Sequence, residues 1–180
     1  MSSRRHMKLE SRSVGMGSFE QPTIASNLQA TEMVVAEIVN LEQGESIGCA
    51  GLQAFERIAD RKRLSPTALK AFRLLAVKWS LLDSEAVALL GVSDNAWKAM
   101  LDRDSGKTLS EDQLTRVSAL LGIYKGLHTV FTEAMADRWL QLINTNPLFR
   151  GRSPIAAMIE EGYALMRETR SQVEAMGQGI

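Results

Sequence analysis

Residues 138–162 read RWLQLINTNPLFRGRSPIAAMIEEG, and this stretch decides the fold class. Asn146-Pro147 stops one helix, because the residue before a proline is pushed out of the α region. Leu148 and Phe149 follow as apolar plugs, and Gly151 relaxes the turn. Ser153 then caps a new helix and Pro154 starts it, its φ already set for a first turn. Ile155, Met158 and Ile159 give that helix an inner face, and Gly162 ends it.

Working outward, the same chemistry repeats. Downstream, residues 163–176 form a last helix with Tyr163, Met166, Val173 and Met176 on one side and Arg167 and Arg170 near the other; it frays into Gly177-Gln178-Gly179-Ile180. Upstream, Thr132 caps a helix that carries Trp139 and ends near Asn144. Before it, Ser110-Glu-Asp-Gln113 is a capping box, and Leu114, Val117, Leu121, Tyr124 and His128 continue its stripe. Gly122 and Gly126 lie inside that helix, each costing about 1 kcal/mol relative to alanine; close approach of a neighbouring helix is the reason to keep them. Ser65-Pro66 reads as a cap and first turn, with Leu69, Phe72, Ala76 and Trp79 on one face behind it. No segment alternates with period two for long enough to argue a sheet. The expected fold is all-α, a helix-turn-helix bundle followed by a small helical domain.

Residues 81–101, LLDSEAVALLGVSDNAWKAML, have the spacing of a helix-turn-helix. Ala86 and Leu90 face inward, Gly91 takes the turn and Val92 follows. Ser93 caps the second helix, while Trp97 and Met100 anchor it. Val87 stands where the motif usually has alanine. The same residues also suit a plain helical hairpin, so shape alone does not establish DNA binding. Ser93, Asp94, Asn95, Lys98, Ala99 and Asp102 would face a major groove; Asn95 suits adenine and Lys98 guanine. Lys98, Arg103 and Lys107 are offset by Asp94, Asp102 and Asp104, and phosphate contacts supply most DNA affinity. Residues 57–78 hold seven basic groups against Asp60. They supply a phosphate-facing side of the preceding helix, with Arg73 among its ligands, or else Arg61, Lys62 and Arg63 are a solvated linker. The expected DNA contacts are Arg73, Ser93, Asn95, Lys98, Arg103 and Lys107.

Residues 1–26 are Ser/Gly/Met-rich without periodicity and read as a mobile arm. Residues 27–63 form an N-terminal helical region, with a helix over 28–41, a break at 44–51 and a short helix over 52–59. The 180 residues, 45% apolar, suffice to bury a core, and the zero net charge argues against a generally basic nucleic-acid coat. Cys49 is the single cysteine, so no intramolecular disulfide forms. No apolar run follows the basic N-terminus and none approaches membrane length. A soluble, cytoplasmic protein is expected. Catalysis is not: His6 and His128 are the two histidines, Glu160 and Glu161 are adjacent and point apart, and no zinc-ligand cluster or phosphate-cradling loop occurs. No cofactor or metal is implied.

LSPTALKAF, ALLGVS followed by Trp97, LSEDQLTRVSALLGIYKGLH, ADRWL, NPLFRGRSPIAAM and the glycine tail follow one another in an order that resembles the Xre/MbcA/ParS antitoxins, over residues 65–180. The resemblance implies a helix-turn-helix domain over 64–129 and a toxin-binding domain over 130–180. The implied partner is a RES-domain toxin that degrades NAD or transfers ADP-ribose. Its contact would centre on Trp139, Asn146, Phe149, Gly151, Ser153 and Met158, with Gly177, Gln178, Gly179 and Ile180 reaching the toxin's NAD site. Operator DNA and a homodimer are the other implied partners. A stand-alone helix-turn-helix regulator, and a toxin-neutralising protein without DNA binding, remain open alternatives. The acidic groups on the groove-facing helix depart from the family's usual Arg/Lys-containing version. Of the family's Gly-rich element in the final helix, only Gly162 is present.

Overall fold

The computed structural model describes residues 55–101 and 106–179, and these form seven α-helices with no strand among them. The helices are α1 (Ile58–Lys78), α2 (Asp83–Leu90), α3 (Asp94–Leu101), α4 (Glu111–Val130), α5 (Glu133–Trp139), α6 (Pro154–Glu161) and α7 (Tyr163–Gly177). The expectations for the arm over 1–26, the helix over 28–41, the break at 44–51 and Cys49 lie outside the described residues. Of the short helix expected over 52–59, residues 55–57 form a turn and Ile58 begins α1.

Helix α1 starts well before Ser65. Ser65-Pro66 was expected to open a helix, yet α1 runs through both residues. Ser65 is buried and serves a different purpose. Its hydroxyl donates to the Arg61 carbonyl at 2.6 Å and accepts the Leu109 N–H at 2.7 Å, bracing α1 against the segment that enters α4. Pro66 itself is exposed, so its ring meets solvent rather than the core. Leu69, Phe72 and Trp79 are buried as expected; Ala76 is only half-buried, and Leu75 takes the seam.

Helix α4 is the hub. Ser110 Oγ accepts from the Gln113 N–H at 3.1 Å, and Gln113 Oε1 accepts from the Ser110 N–H at 2.9 Å, so the capping box is formed in both directions. Beyond the expected stripe, Ala119, Leu120, Ile123 and Leu127 are buried as well. A helix apolar on several sides is a core helix, and α4 packs against α1, α2, α5 and α7.

The widest of these contacts is with α7, and the two glycines explain it. A Cβ on Gly122 would lie 2.4 Å from Arg170 Nε, and one on Gly126 would lie 2.5 Å from Val173 Cγ1. Gly177 lies against Val130 less closely, a Cβ there meeting Val130 Cγ2 at 3.7 Å, an ordinary contact. The pairs 122–170, 126–173 and 130–177 ascend together, so α4 and α7 run parallel. The chain between them must therefore travel back along the body, which α5, the turn and α6 accomplish.

Helix α5 ends at Trp139, five residues before the expected Asn144. Thr132 occupies its N-cap position but makes no side-chain cap bond. The early end has a cause beyond the helix itself. The Leu140 carbonyl is taken by the Ile155 N–H at 3.1 Å, and Asn144 is drawn into the turn that follows. One apolar cluster joins residues from Leu64 to Val173. The boundary expected at 129/130 falls at the end of α4, and the core continues across it. Among the described residues no helix is long and apolar enough to cross a membrane.

Candidate functional site

Three surfaces hold the residues that the sequence marks. The first is the α2–α3 pair, joined by three residues. Gly91 ends α2 at φ +69°, a conformation that suits glycine. Arg116 pins the turn from α4, donating to the Leu89 carbonyl at 3.4 Å and to Asp112 at 2.7 Å. Ser93 Oγ accepts the Ala96 N–H at 3.3 Å and caps α3. Trp97 is buried edge-on to Phe72 at 5.7 Å, and its indole N–H donates to Asp83 at 3.0 Å. Trp97 and Met100 therefore fix α3 by its inner side, leaving Ser93, Asp94, Asn95 and Lys98 exposed.

Not every expected DNA ligand shares that face. Ala99 is half-buried. Arg73 lies half-buried on α1, its Nε shielded from solvent and without a hydrogen-bond partner among the described residues. Lys107 is exposed ahead of α4. Arg103 lies outside the described residues, as do Asp102 and Asp104.

The second surface is the turn between α5 and α6. Asn144 Oδ1 accepts the Asn146 N–H at 2.9 Å, and Asn146 Oδ1 accepts the Leu148 N–H at 2.9 Å. These local side-chain bonds replace helical ones. The backbone then closes on itself: Gly151 N–H donates to the Asn144 carbonyl at 3.2 Å, and Asn144 N–H to the Arg152 carbonyl at 3.1 Å. Arg150 and Gly151 occupy the left-handed region at φ +52° and +76°. Glycine adopts that region freely; arginine does so only under constraint. The Arg152 guanidinium reaches the Phe149 carbonyl, Glu160 and Glu161, clamping the turn to the end of α6. Its hydrogen bond holds the Glu161 carboxyl below the usual carboxylate range. The two glutamates, expected to point apart, are thus gathered by one cation.

Of the residues expected to touch a toxin, Phe149 and Met158 are fully buried. Both belong to the core, and Phe149 packs edge-on against half-buried Trp139 at 5.7 Å. They shape the turn from beneath and present no side-chain surface. Ser153 is half-buried and occupied as a cap, accepting the Ala156 N–H at 3.3 Å. Asn146 is half-buried and spent on the turn. Gly151 is exposed. What the turn does present was missed in the sequence: Leu142 at 40% and Ile143 at 78% exposure, and exposed Arg150. Leu142 and Ile143 were hidden by the expectation that α5 continues to Asn144.

The third surface is the α4–α7 seam. A groove of about 500 Å³ opens there, lined among others by Lys125, Gly126, Arg170, Glu174 and Gln178. Along its α7 wall Arg170 donates to Glu174 at 2.7 Å. Gly177 ends α7, and Gln178 and Gly179 follow as an exposed turn; Ile180 lies outside the described residues. His128 lies apart from this seam. It pairs with Asp137 at 3.0 Å, which Lys78 also approaches at 3.7 Å while bonding Glu133 at 3.1 Å. This cluster ties α1, α4 and α5 together.

The chain is 30% identical over 119 residues to "Uncharacterized protein y4oB" of Sinorhizobium fredii (strain NBRC 101917 / NGR234), a match that covers 63% of this chain and 87% of that protein. The two proteins belong to one family. No protein-family model and no solved structure matches the chain.

Proposed function

We propose that this member of the y4oB family is a non-catalytic antitoxin. It binds a co-encoded RES-domain toxin that consumes NAD or transfers ADP-ribose, using the turn between α5 and α6 and the C-terminal tail. As a homodimer it represses its own operon through α3.

The observation that carries this reading is the turn over 144–152. Its backbone is closed by hydrogen bonds, its underside is anchored by buried Phe149, and it holds Ile143 in solvent. A rigid apolar protrusion loses little freedom on binding, which favours recognition over catalysis. The exposed Gly177–Gly179 tail is narrow enough to enter a cleft in a partner. For α3, exposed Asn95 and Lys98 suit base edges, and the Gly91 turn sets the helix off from α2.

Expressing the toxin alone and with this chain tests the reading. Growth is expected only with both present, and the two proteins should copurify. Growth arrest despite full expression of this chain, with no copurification, would overturn it. Exposed Asp94 beside Lys98 favours one variant of the reading, in which the toxin is held but DNA is not. A mobility shift on the upstream operator at low salt decides between the two.

A further inference from the structure

Helix α1 has two sides. Leu64, Ala68, Leu69, Phe72 and Leu75 are buried on one, and Lys62, Arg63, Pro66, Lys70 and Val77 are exposed on the other. Positions 62, 66 and 70 follow at steps of four, 63 stands three before 66, and 77 stands seven after 70. That spacing makes one outer face, on which Lys62 and Lys70 are about 12 Å apart along the axis. Neither lysine makes a hydrogen bond or ion pair among the described residues, and Arg63 only approaches Asp60 at 4.0 Å. Arg61 and Lys78 are committed elsewhere, to the Phe55 carbonyl at 2.8 Å and to Glu133 at 3.1 Å. The outer face is therefore a row of open cations that ends in Val77, itself 77% exposed.

The sequence that precedes α1 has the opposite character. Residues 14–54 contain five glutamates, Glu20, Glu32, Glu37, Glu42 and Glu45, and no aspartate, lysine or arginine. Val34, Val35, Ile38 and Leu41 stand among those acids. A chain of zero net charge thus sets an acidic, partly apolar stretch directly before a basic helix. Reach is ample. Arg61 clamps the Phe55 and Glu56 carbonyls at the start of α1, and the chain from Glu45 to Glu56 can extend to about 36 Å. Helix α1 is about 32 Å long. Duplex DNA would pair with the cations and leave Val77 in water. A segment that carries both carboxylates and apolar side chains satisfies the whole face, and its tether gives it a high effective concentration there.

We propose that the segment from Glu32 to Glu45 docks on the outer face of α1 in the same chain, its carboxylates on Lys62, Arg63 and Lys70. Docked there, it excludes other polyanions and holds down the affinity of the chain for nucleic acid at large. A face open one-tenth of the time binds about tenfold more weakly than a free one. Nothing in this contact depends on a toxin.

The test treats the full chain with a zero-length carbodiimide, which joins a lysine to a carboxylate only where the two touch. Peptide mapping should show Lys62 or Lys70 linked to Glu32, Glu37, Glu42 or Glu45. Mixing isotopically labelled and unlabelled chains separates links within one chain from links to a second copy, and the links should lie within one chain. In parallel, a variant with all four of these glutamates changed to glutamine should bind a generic DNA duplex about tenfold more tightly at low salt. Adding Lys62→Gln and Lys70→Gln should cancel that gain. Both lysines are exposed, so a thermal melt should show folding unchanged by their replacement. Links from the glutamates only to Lys8 or to a second copy would overturn the contact. So would the absence of any link to α1, or a duplex affinity that the four glutamines leave unchanged. If Lys62→Gln and Lys70→Gln then weaken duplex binding by themselves, the face belongs to nucleic acid instead.

Discussion

Gly122 and Gly126 are alike in sequence and differ in what a methyl group would meet. At Gly126 it meets Val173, a buried β-branched side chain with little room to turn. At Gly122 it meets the far end of Arg170, which is partly exposed and can swing away. Gly126→Ala should therefore destabilise by about 1–2 kcal/mol, overpacking outweighing the gain in helix propensity. Gly122→Ala should be near neutral, and paired denaturant titrations decide it. Ser65→Ala would strand the Leu109 N–H in the interior at a cost of about 1–3 kcal/mol, measurable in the same way. The Arg152–Glu161 contact predicts a pH effect. Because the folded carboxyl titrates below its ordinary value, its stabilising contribution is complete above the unfolded pKa and disappears as pH falls through the folded one. Titration of the Glu161 carboxyl by NMR should show the depressed value, and Arg152→Gln should return it to the ordinary range. The sequence reveals the positions of these residues but not their partners, since Ser65 and Leu109 stand 44 residues apart.

At the level of helices, what could be read was whatever depends on near neighbours. The Ser110–Gln113 box, the Ser153-Pro154 start, the Gly91 turn and the Gly162 stop are local chemistry, and each is formed. Two readings failed for the opposite reason. Ser65-Pro66 has the grammar of a cap, but the Ser65 hydroxyl is buried and spent on the Arg61 carbonyl and the Leu109 N–H, and the chain is helical on both sides. The end of α5 is set by a bond from Ile155, fifteen residues on, so periodicity alone carried the helix too far. That error concealed Leu142 and Ile143, apolar side chains of the candidate site that reach solvent. Gly91→Ala tests the turn between α2 and α3. It forces alanine into the left-handed region and its Cβ to 3.2 Å from Arg116. A loss of about 1 kcal/mol or more is expected, with weaker operator binding if α3 reads DNA. Thermal melts and mobility shifts report the two effects separately.

Across the described chain, the helix-turn-helix segment and the C-terminal segment share one core, because α4 belongs to both. Residue 130 marks the end of α4, not a gap in packing. Tryptophans report from either side: Trp97 anchors α3, and Trp139 packs on Phe149. Within each single-tryptophan variant, fluorescence and far-ultraviolet circular dichroism should therefore give the same denaturant midpoint; separated midpoints within one variant would mean two independent units. The shared core also bears on the proposed function, since it holds α3 and the turn between α5 and α6 in one body. That account is tested most directly by NAD consumption. Purified RES-domain protein from the same operon is assayed with rising amounts of this chain. The account predicts that NAD loss stops as the chain approaches a fixed molar ratio to the enzyme, and that Ile143→Asp shifts the curve to higher concentration. Undiminished NAD loss at large molar excess of the unaltered chain would contradict it.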